Sequence, residues 1–332
     1  MKKLVLEIEE KYNIKIKSIK VLQGGWLNKK YIIEVDDKYY VLKEFSLNKF
    51  PNGYLKTLKE TLYIQNSLKK NKLLVPSVLE NSNNDLLTNL SNGEYYFIQE
   101  FIKGHSKNAD ELSLNEIESI GENLAKLHLL MQNIDRKKFD NDFMHYKNIN
   151  DLKIELQQKK NQINNATPEK YINCIILHSD IIKNIEETKM LEKQTIQLIH
   201  GDYTPDNILL LNDRVNGIVD FELVRINTRL QDFGRIMLSV AFKNDNFDLQ
   251  KVKALMTGYN KYIKIDDEEI NDSLKVVWIN ESNIWLQERY YRNYNPPKVQ
   301  KFISEMEWIT NNWFNINVLK KETMEYGRVK KK

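Results

Sequence analysis

The feature that most narrows the possible folds is a change of hydrophobic period along the chain. Alternation of apolar and polar residues, the two-residue period of a half-buried strand, is confined to the first hundred residues. Residues 14–22 alternate through Ile14 and Ile16, then, after a one-residue slip at Lys17-Ser18, through Ile19 and Val21. A Gly24-Gly25 break follows. Residues 30–35 and 38–45 are β-rich runs on either side of Asp36-Asp37, a hairpin signal. Leu55, Leu58 and Leu62 put a helix over residues 54–70, and residues 94–102 read as a further strand ending at Gly104. From Ser113 onward the period is helical. Ser113 and Glu116 have capping-box spacing in front of a helix that runs to Met131. Residues 150–195 are charged and helical, with a break at residues 166–168. Short strand-like runs return at 197–200, 207–211 and 217–221, and amphipathic helices resume from Leu230. The pattern predicts a small strand-rich lobe over residues 1–100 and a larger helical lobe over 101–332 that carries one small hairpin.

A chain of 332 residues suits two lobes better than one small core. No run of about 18 apolar residues occurs, which argues against a membrane span. The first ten residues acquire Glu7, Glu9 and Glu10 too early for a secretory signal, so the expectation is a cytoplasmic protein. Cys174 is the single cysteine. It excludes an internal disulfide or a multi-cysteine zinc site, and within the apolar run 172–177 it reads as a buried structural thiol. Fifty Lys and Arg are interspersed with 46 Asp and Glu, for a net charge of +4. Nucleic-acid binders concentrate basic residues on one element. Here the dense basic tract is the tail 328–332, read as solvated, so no nucleic-acid partner is expected.

The run His200-Gly201-Asp202-Tyr203-Thr204-Pro205-Asp206-Asn207 supplies a carboxylate and a carboxamide in a loop that enters an apolar strand. Asp220 follows at the end of the next strand, and strand-turn-strand brings it back beside Asp202 and Asn207. Phosphoryl transfer needs such a set. One carboxylate orients the attacking hydroxyl and accepts its proton, and hard oxygens hold Mg²⁺ against the phosphates. Positive charge is expected from the other lobe. Lys43 lies on the strand after the hairpin turn, and Glu60 on the following helix is placed to pair with it, an ion pair that would aim the lysine at the α- and β-phosphates. Gly24, Gly25 and Asn28 sit where a phosphate-covering loop would lie. They do not complete a Gly-x-Gly-x-x-Gly pattern, and a plain hairpin connection remains open for them.

With these residues in view, the chain resembles the aminoglycoside phosphotransferase/choline kinase-like superfamily, which has the protein-kinase fold. Residues 25–43 are similar to its nucleotide loop and lysine strand, Glu60 with Val75-Pro76 to its helix and following turn, and residues 97–104 to its interlobe hinge. Leu124-Ala125-Lys126-Leu127-His128 matches its Leu-x-x-Leu-His helix. His200 to Asn207 with Ile218-Val219-Asp220-Phe221-Glu222 is the decisive match, and Asp232 fits the acid that anchors the next helix. The resemblance implies an α+β, bilobal protein-kinase-like fold. It implies Asp202 as catalytic base, Asn207 and Asp220 as Mg²⁺ ligands, Lys43 as the phosphate-binding lysine, and backbone near Glu100 and Ile102 as the adenine contact. The cofactors implied are ATP, or another nucleoside triphosphate, and Mg²⁺. Gly201 in place of the arginine of His-Arg-Asp, Glu222 in place of the glycine of Asp-Phe-Gly, and the lack of an Ala-Pro-Glu segment point to a small-molecule hydroxyl acceptor rather than a protein.

Other residues have plainer readings. His200 holds the loop, His128 is a core histidine on an apolar helix face, and His105 is a surface residue beside the hinge. Trp278, Trp285, Trp308 and Trp313 read as packing. Glu281 and Glu288 could meet a cationic acceptor, although a solvated face explains each singly. Glu222 could support the metal site or end a strand in solvent. The expected activity is transfer of a γ-phosphoryl group to a hydroxyl of an antibiotic or a metabolite. The alternative is a catalytically inactive binding or structural protein, because some spore-coat proteins look like this superfamily.

Overall fold

The computed structural model of the chain describes residues 2–22, 28–45, 54–136 and 148–319, with backbone alone at 191 and 193. Helix α1 (Lys2–Tyr12) precedes strands β1 (Ser18–Leu22), β2 (Lys29–Val35) and β3 (Lys38–Phe45), helix α2 (Tyr54–Lys70), and strands β4 (Thr88–Asn89) and β5 (Tyr95–Glu100). The strands form one antiparallel sheet in the order β1-β2-β3-β5-β4.

The Asp36-Asp37 turn sets the sheet register. Both residues adopt left-handed backbone, φ 48° and 58°, as a two-residue hairpin with the right twist requires. Val35 then pairs with Lys38, and Lys30 falls opposite Lys43. Alternation sends Tyr31, Ile33 and Val35 to one face, where Ile8 and Tyr12 of α1 pack on them with Leu42 and Ile98. Leu58 and Leu62 of α2 cover the other face with Phe45 and Phe97. The central strand β3 is therefore buried from Val41 to Phe45. Sequence patterning did not anticipate α1, although Leu4, Ile8 and Tyr12 have helical spacing. The first strand begins at Ser18 rather than at Ile14, because Asn13 (φ 50°) ends α1 and the chain joins the sheet only at Lys17, whose N–H bonds Glu34 O at 2.8 Å.

Beyond Glu100 a short connection reaches His105, whose N–H and C=O both bond Leu210 (3.1 and 2.9 Å). The second lobe is built from α3 (Leu114–Gln132), α4 (Ile149–Asn161), α5 (Glu169–Thr188), β6 (Ile196–Ile199), β7 (Ile208–Leu211), β8 (Arg214–Ile218), β9 (Arg225–Thr228), α6 (Leu230–Ala241), α7 (Leu249–Tyr259), α8 (Asp267–Trp285), α9 (Glu288–Arg292) and α10 (Pro297–Asn312). The capping box at Ser113 is formed in both directions. Besides the β7–β8 hairpin there are two further ribbons, β6 paired with β9 and the short pair 242–243 with 246–247, where one hairpin was expected. The β6–β9 and β7–β8 ribbons hold the loops that follow β6 and β8 side by side. Helix α6 is buried along its whole length, so its polar residues Gln231, Asp232 and Arg235 must find partners inside the lobe. Cys174 is buried, and Trp278 is fully enclosed with its Nε1–H donating to Thr310 Oγ1 at 2.8 Å. Among the described residues no helix is long and apolar enough to cross a membrane.

Candidate active site

The loop after β6 is held by one buried carboxylate. Asp232, in the first turn of α6, accepts the N–H of His200 on Oδ2 (2.8 Å) and the N–H of Gly201 on Oδ1 (2.9 Å). His128 of α3 approaches Asp232 Oδ2 through Nε2 at 3.2 Å, and its Nδ1 meets the Tyr259 hydroxyl at 2.8 Å. Burial works to raise the Asp232 carboxyl. Its hydrogen bond and charge interaction with His128 outweigh that and hold it below the usual aspartate range. His200 closes the loop on itself: the Asp202 N–H donates to its Nδ1 (3.3 Å), so Nε2 carries the hydrogen offered to Val219 O (3.2 Å). Burial lowers the His200 pKa and keeps this tautomer neutral.

Gly201 sits at φ 79°, and a methyl group there would lie 2.1 Å from the Leu223 carbonyl oxygen. Left-handed backbone and backbone-to-backbone contact both demand glycine. Gly201→Ala is expected to lower stability by about 1–3 kcal/mol and to reduce activity more than that loss explains. Urea denaturation and steady-state rates measured on the same preparation check this.

The loop presents Asp202 beside Asn207. The Asn207 carboxamide donates through Nδ2 to Asp202 O (2.9 Å) and Asp202 Oδ2 (2.7 Å), which turns its oxygen Oδ1 away from Asp202. The Val219 N–H donates to Asn207 O at 3.0 Å and draws the end of β8 alongside. Asp220 follows in left-handed conformation, φ 71° and ψ 58°. Burial pushes the Asp202 carboxyl up to about 6. The charges of Asp220 and Glu281 add to this, while the Asn207 bond and Arg235 oppose it.

Across the cleft, Lys43 is almost wholly buried. Its Nζ lies 3.0 Å from Asp220 Oδ1, 2.6 Å from Glu222 Oε1 and 5.6 Å from the centre of the Phe97 ring. Lys30, its cross-strand neighbour, reaches Asp220 Oδ2 at 3.0 Å. Burial alone would lower the Lys43 pKa, but Asp220 and Glu222 hold it above the usual lysine value. Burial likewise works to raise Asp220, and Lys43 with Lys30 keeps it well below the usual carboxylate range. Burial and the neighbouring Asp220 charge push Glu222 up, against the pull of Lys43.

Lys43, Asp202, Asn207 and Asp220 are thus brought together, whereas the expected Lys43–Glu60 pair is not formed. The reason is helical phase. Tyr54, Thr57, Leu58, Thr61, Leu62, Ile64, Gln65 and Leu68 define the buried face of α2. At 3.6 residues per turn, Glu60 lies about 120° from the middle of that face. Its ion-pair contact is Lys56, 4.0 Å away on the same helix. Glu222 is the acid on Lys43. It is neither a solvated strand end nor distant from the site, since its other oxygen accepts the Asn28 Nδ2–H at 3.2 Å. Gly24 and Gly25 lie outside the described residues. The Glu100 side chain turns from the cleft to Lys69 (2.8 Å) and Ser77, and its N–H donates to Ser77 O at 2.8 Å, which leaves its carbonyl as the part that could meet a base. The Ile102 N–H makes no backbone hydrogen bond among the described residues. Glu281 is not on a solvated face: it pairs at 2.9 Å with Arg235, a buried side chain that also pairs with Glu305. Glu288 pairs with Arg292 on its own short helix.

Sequence reasoning missed Lys30. The Asp36-Asp37 turn determines its pairing with Lys43, so the hairpin register alone could have found it. A metal site here would rest on Asp220, the turned-out Asn207 oxygen and ligand oxygens; among the described residues no group of three or more His, Cys, Asp or Glu side chains could hold a metal ion. Such a hard-oxygen pair suits Mg²⁺, which binds through one or two carboxylates plus phosphates.

The profile of the phosphotransferase enzyme family matches residues 18–262. Among curated proteins, a homoserine kinase of Sinorhizobium fredii (strain NBRC 101917 / NGR234) is 33% identical over 75 residues, 22% of this chain and 23% of that protein. One of Granulibacter bethesdensis (strain ATCC BAA-1260 / CGDNIH1) is 31% identical over 72 residues, 21% of this chain and 23% of that protein. The chain spans less than a quarter of the length of these relatives. Among solved structures, an amicoumacin kinase in complex with AMP-PNP, Ca²⁺ and Ami superposes with TM-score 0.63 at 12% identity, covering 94% of this chain and 93% of the other. An aminoglycoside 2'-phosphotransferase-IIIa in its GDP complex gives 0.63 at 18%, covering 90% and 94%. A microcompartment-associated aminopropanol kinase gives 0.60 at 15%, covering 94% and 97%. These neighbours share the bilobal protein-kinase-like fold, and since the family profile spans most of the chain, from β1 through the loops of the cleft to just past α7, the chain belongs to the phosphotransferase enzyme family.

Proposed function

We propose that this protein is an ATP- and Mg²⁺-dependent small-molecule kinase, working in the cytoplasm, that transfers the γ-phosphoryl group to a hydroxyl. The observation that carries this reading is the meeting of Lys43 from one lobe with Asp220 from the other at 3.0 Å, next to the Asp202–Asn207 pair joined at 2.7 Å. Asp202 accepts the hydrogen bond of the acceptor hydroxyl and takes its proton. A carboxyl raised to about 6 is ionised at neutral pH yet more basic than an ordinary aspartate. Asn207 turns its amide toward Asp202, which holds the base in one orientation and leaves Oδ1 for the metal. Asp220 supplies the charged metal ligand. Lys43 and Lys30 offer ammonium groups to phosphate oxygens. Bound Mg²⁺ would neutralise charge on the β- and γ-phosphoryl oxygens. Backbone at Glu100 and Ile102 would read the adenine.

The charge around Asp202 supports one class of acceptor. Asp220 and Glu281 both add negative potential there, opposed by Arg235. That supports an acceptor with an ammonium near its hydroxyl, such as an amino alcohol, a hydroxy amino acid or an amino sugar. The names of the similar proteins, which include homoserine and aminopropanol kinases, are consistent with it. Calorimetric titration of ATP tests the nucleotide half of the reading. Binding is expected with Mg²⁺ and should weaken at least about tenfold in Asp220→Asn. No heat of binding from Mg-ATP to the wild-type protein would favour an inactive binding or structural protein instead.

A further inference from the structure

Resting on the kinase reading above, we propose that Glu222, and not an acid of helix α2, is the residue that positions Lys43 for the nucleotide phosphates. Glu60 is the one acid in α2; one of its oxygens lies 4.0 Å from Lys56, and the other is buried with no hydrogen-bond partner among the described residues rather than engaged with Lys43. The inner face offers Thr57, Thr61 and Gln65 instead. Thr61 Oγ1 donates to Leu58 O, and Gln65 donates to Pro76 O and Gln99 Oε1. None of these can neutralise a buried ammonium, and an unpaired buried Lys43 would be strongly disfavoured.

Glu222 fills that role from the opposite lobe. The left-handed turn at Asp220 and the short 3₁₀ turn Phe221–Leu223 bring its carboxylate up to the sheet. One oxygen takes Lys43 Nζ at 2.6 Å, and the other takes Asn28 Nδ2 at 3.2 Å where β2 begins. Its backbone carbonyl accepts the Tyr54 hydroxyl at the start of α2 (2.9 Å). One residue therefore ties β2, β3 and α2 to the turn that carries Asp220. A lysine ammonium has three N–H donors. Glu222 takes one and Asp220 another, which leaves the third for a phosphate oxygen. When the oxygens of Asp220 are engaged elsewhere, Glu222 still restrains Lys43. The lysine is thus oriented by the Asp220–Glu222 turn, and a shift of α2 alone would not release it.

Glu222→Gln, Glu222→Asp and Glu60→Gln would be compared with wild type for Mg-ATP affinity by calorimetry and for KM of each substrate by steady-state kinetics. The expected result is a loss of between about ten- and a hundredfold in Mg-ATP affinity and in kcat/KM for ATP with Glu222→Gln. Glu222→Asp should recover part of that loss, the KM of the acceptor should stay within about twofold, and Glu60→Gln should match wild type within about twofold throughout. If Glu222→Gln does not fold, Glu222→Asp and Asn28→Ala carry the test through the same ATP-specific split. Loss in Glu60→Gln with Glu222 variants near wild type overturns the proposal and leaves the kinase reading standing. So does equal damage to both substrates' KM. Absence of Mg-ATP binding by the wild type overturns both.

Discussion

Asp202→Asn is expected to lower kcat by about 10²–10⁴-fold with little change in either KM. The variant keeps the size of the side chain and one oxygen able to accept the Asn207 Nδ2–H (2.7 Å), so the loop should stay folded and thermal unfolding should move little. What disappears is the anionic oxygen that takes the hydroxyl proton. The wild-type enzyme should show the same dependence through pH. The Asp202 carboxyl is pushed up to about 6 by burial and is active only when ionised. Hence kcat/KM should fall as pH drops through about 6, with a plateau above it. A variant with unchanged KM and wild-type kcat would remove Asp202 from the chemistry.

Asp232→Ala should act through the fold instead. It removes the acceptor for two backbone N–H groups, at His200 and Gly201, and the partner of His128 in a wholly buried position. Breaking a buried charged network by deleting one partner costs about 3–5 kcal/mol. Urea denaturation should therefore show a large loss of stability, and activity should be lost with it because two backbone N–H groups of the Asp202 loop lose their buried acceptor. The sign of the acid response follows. The Asp232 carboxyl is held below its usual range in the folded state, so its contribution is fully present above the ordinary aspartate pKa and is lost as pH falls through the depressed value. The wild type should lose stability in that acid window more steeply than Asp232→Ala does.

The parts of this site that local rules govern were legible in the sequence. The Asp36-Asp37 turn, the capping box at Ser113 and the spacing from Asp202 to Asn207 to Asp220 each express a short-range constraint, and each appears in the structure. The misread residues depend on phase or on long-range pairing. Its place on the helix after the lysine strand points to Glu60, but its angular position on α2 puts it at the edge of the buried face, beside Lys56. A solvated face or a cationic acceptor both account for Glu281 from the sequence, yet it shares a helix face with Trp278 and Trp285, and burial of Trp278 carries Glu281 inward to Arg235. Glu222 remained ambiguous because a turn residue has no periodic face; only the meeting of the two lobes gives it a partner. Strand β9 is short and polar, and it is recognisable only through its pairing with β6.

Transfer of ³²P from γ-labelled ATP tests the central claim most directly, with a panel of hydroxyl acceptors that includes homoserine, short amino alcohols and aminoglycosides. The expected result is Mg²⁺-dependent labelling of an amine-bearing acceptor by the wild-type protein and background labelling by Asp202→Asn. Labelling that persists undiminished in Asp202→Asn, or no labelled acceptor from a wild-type protein that binds Mg-ATP, would contradict the account.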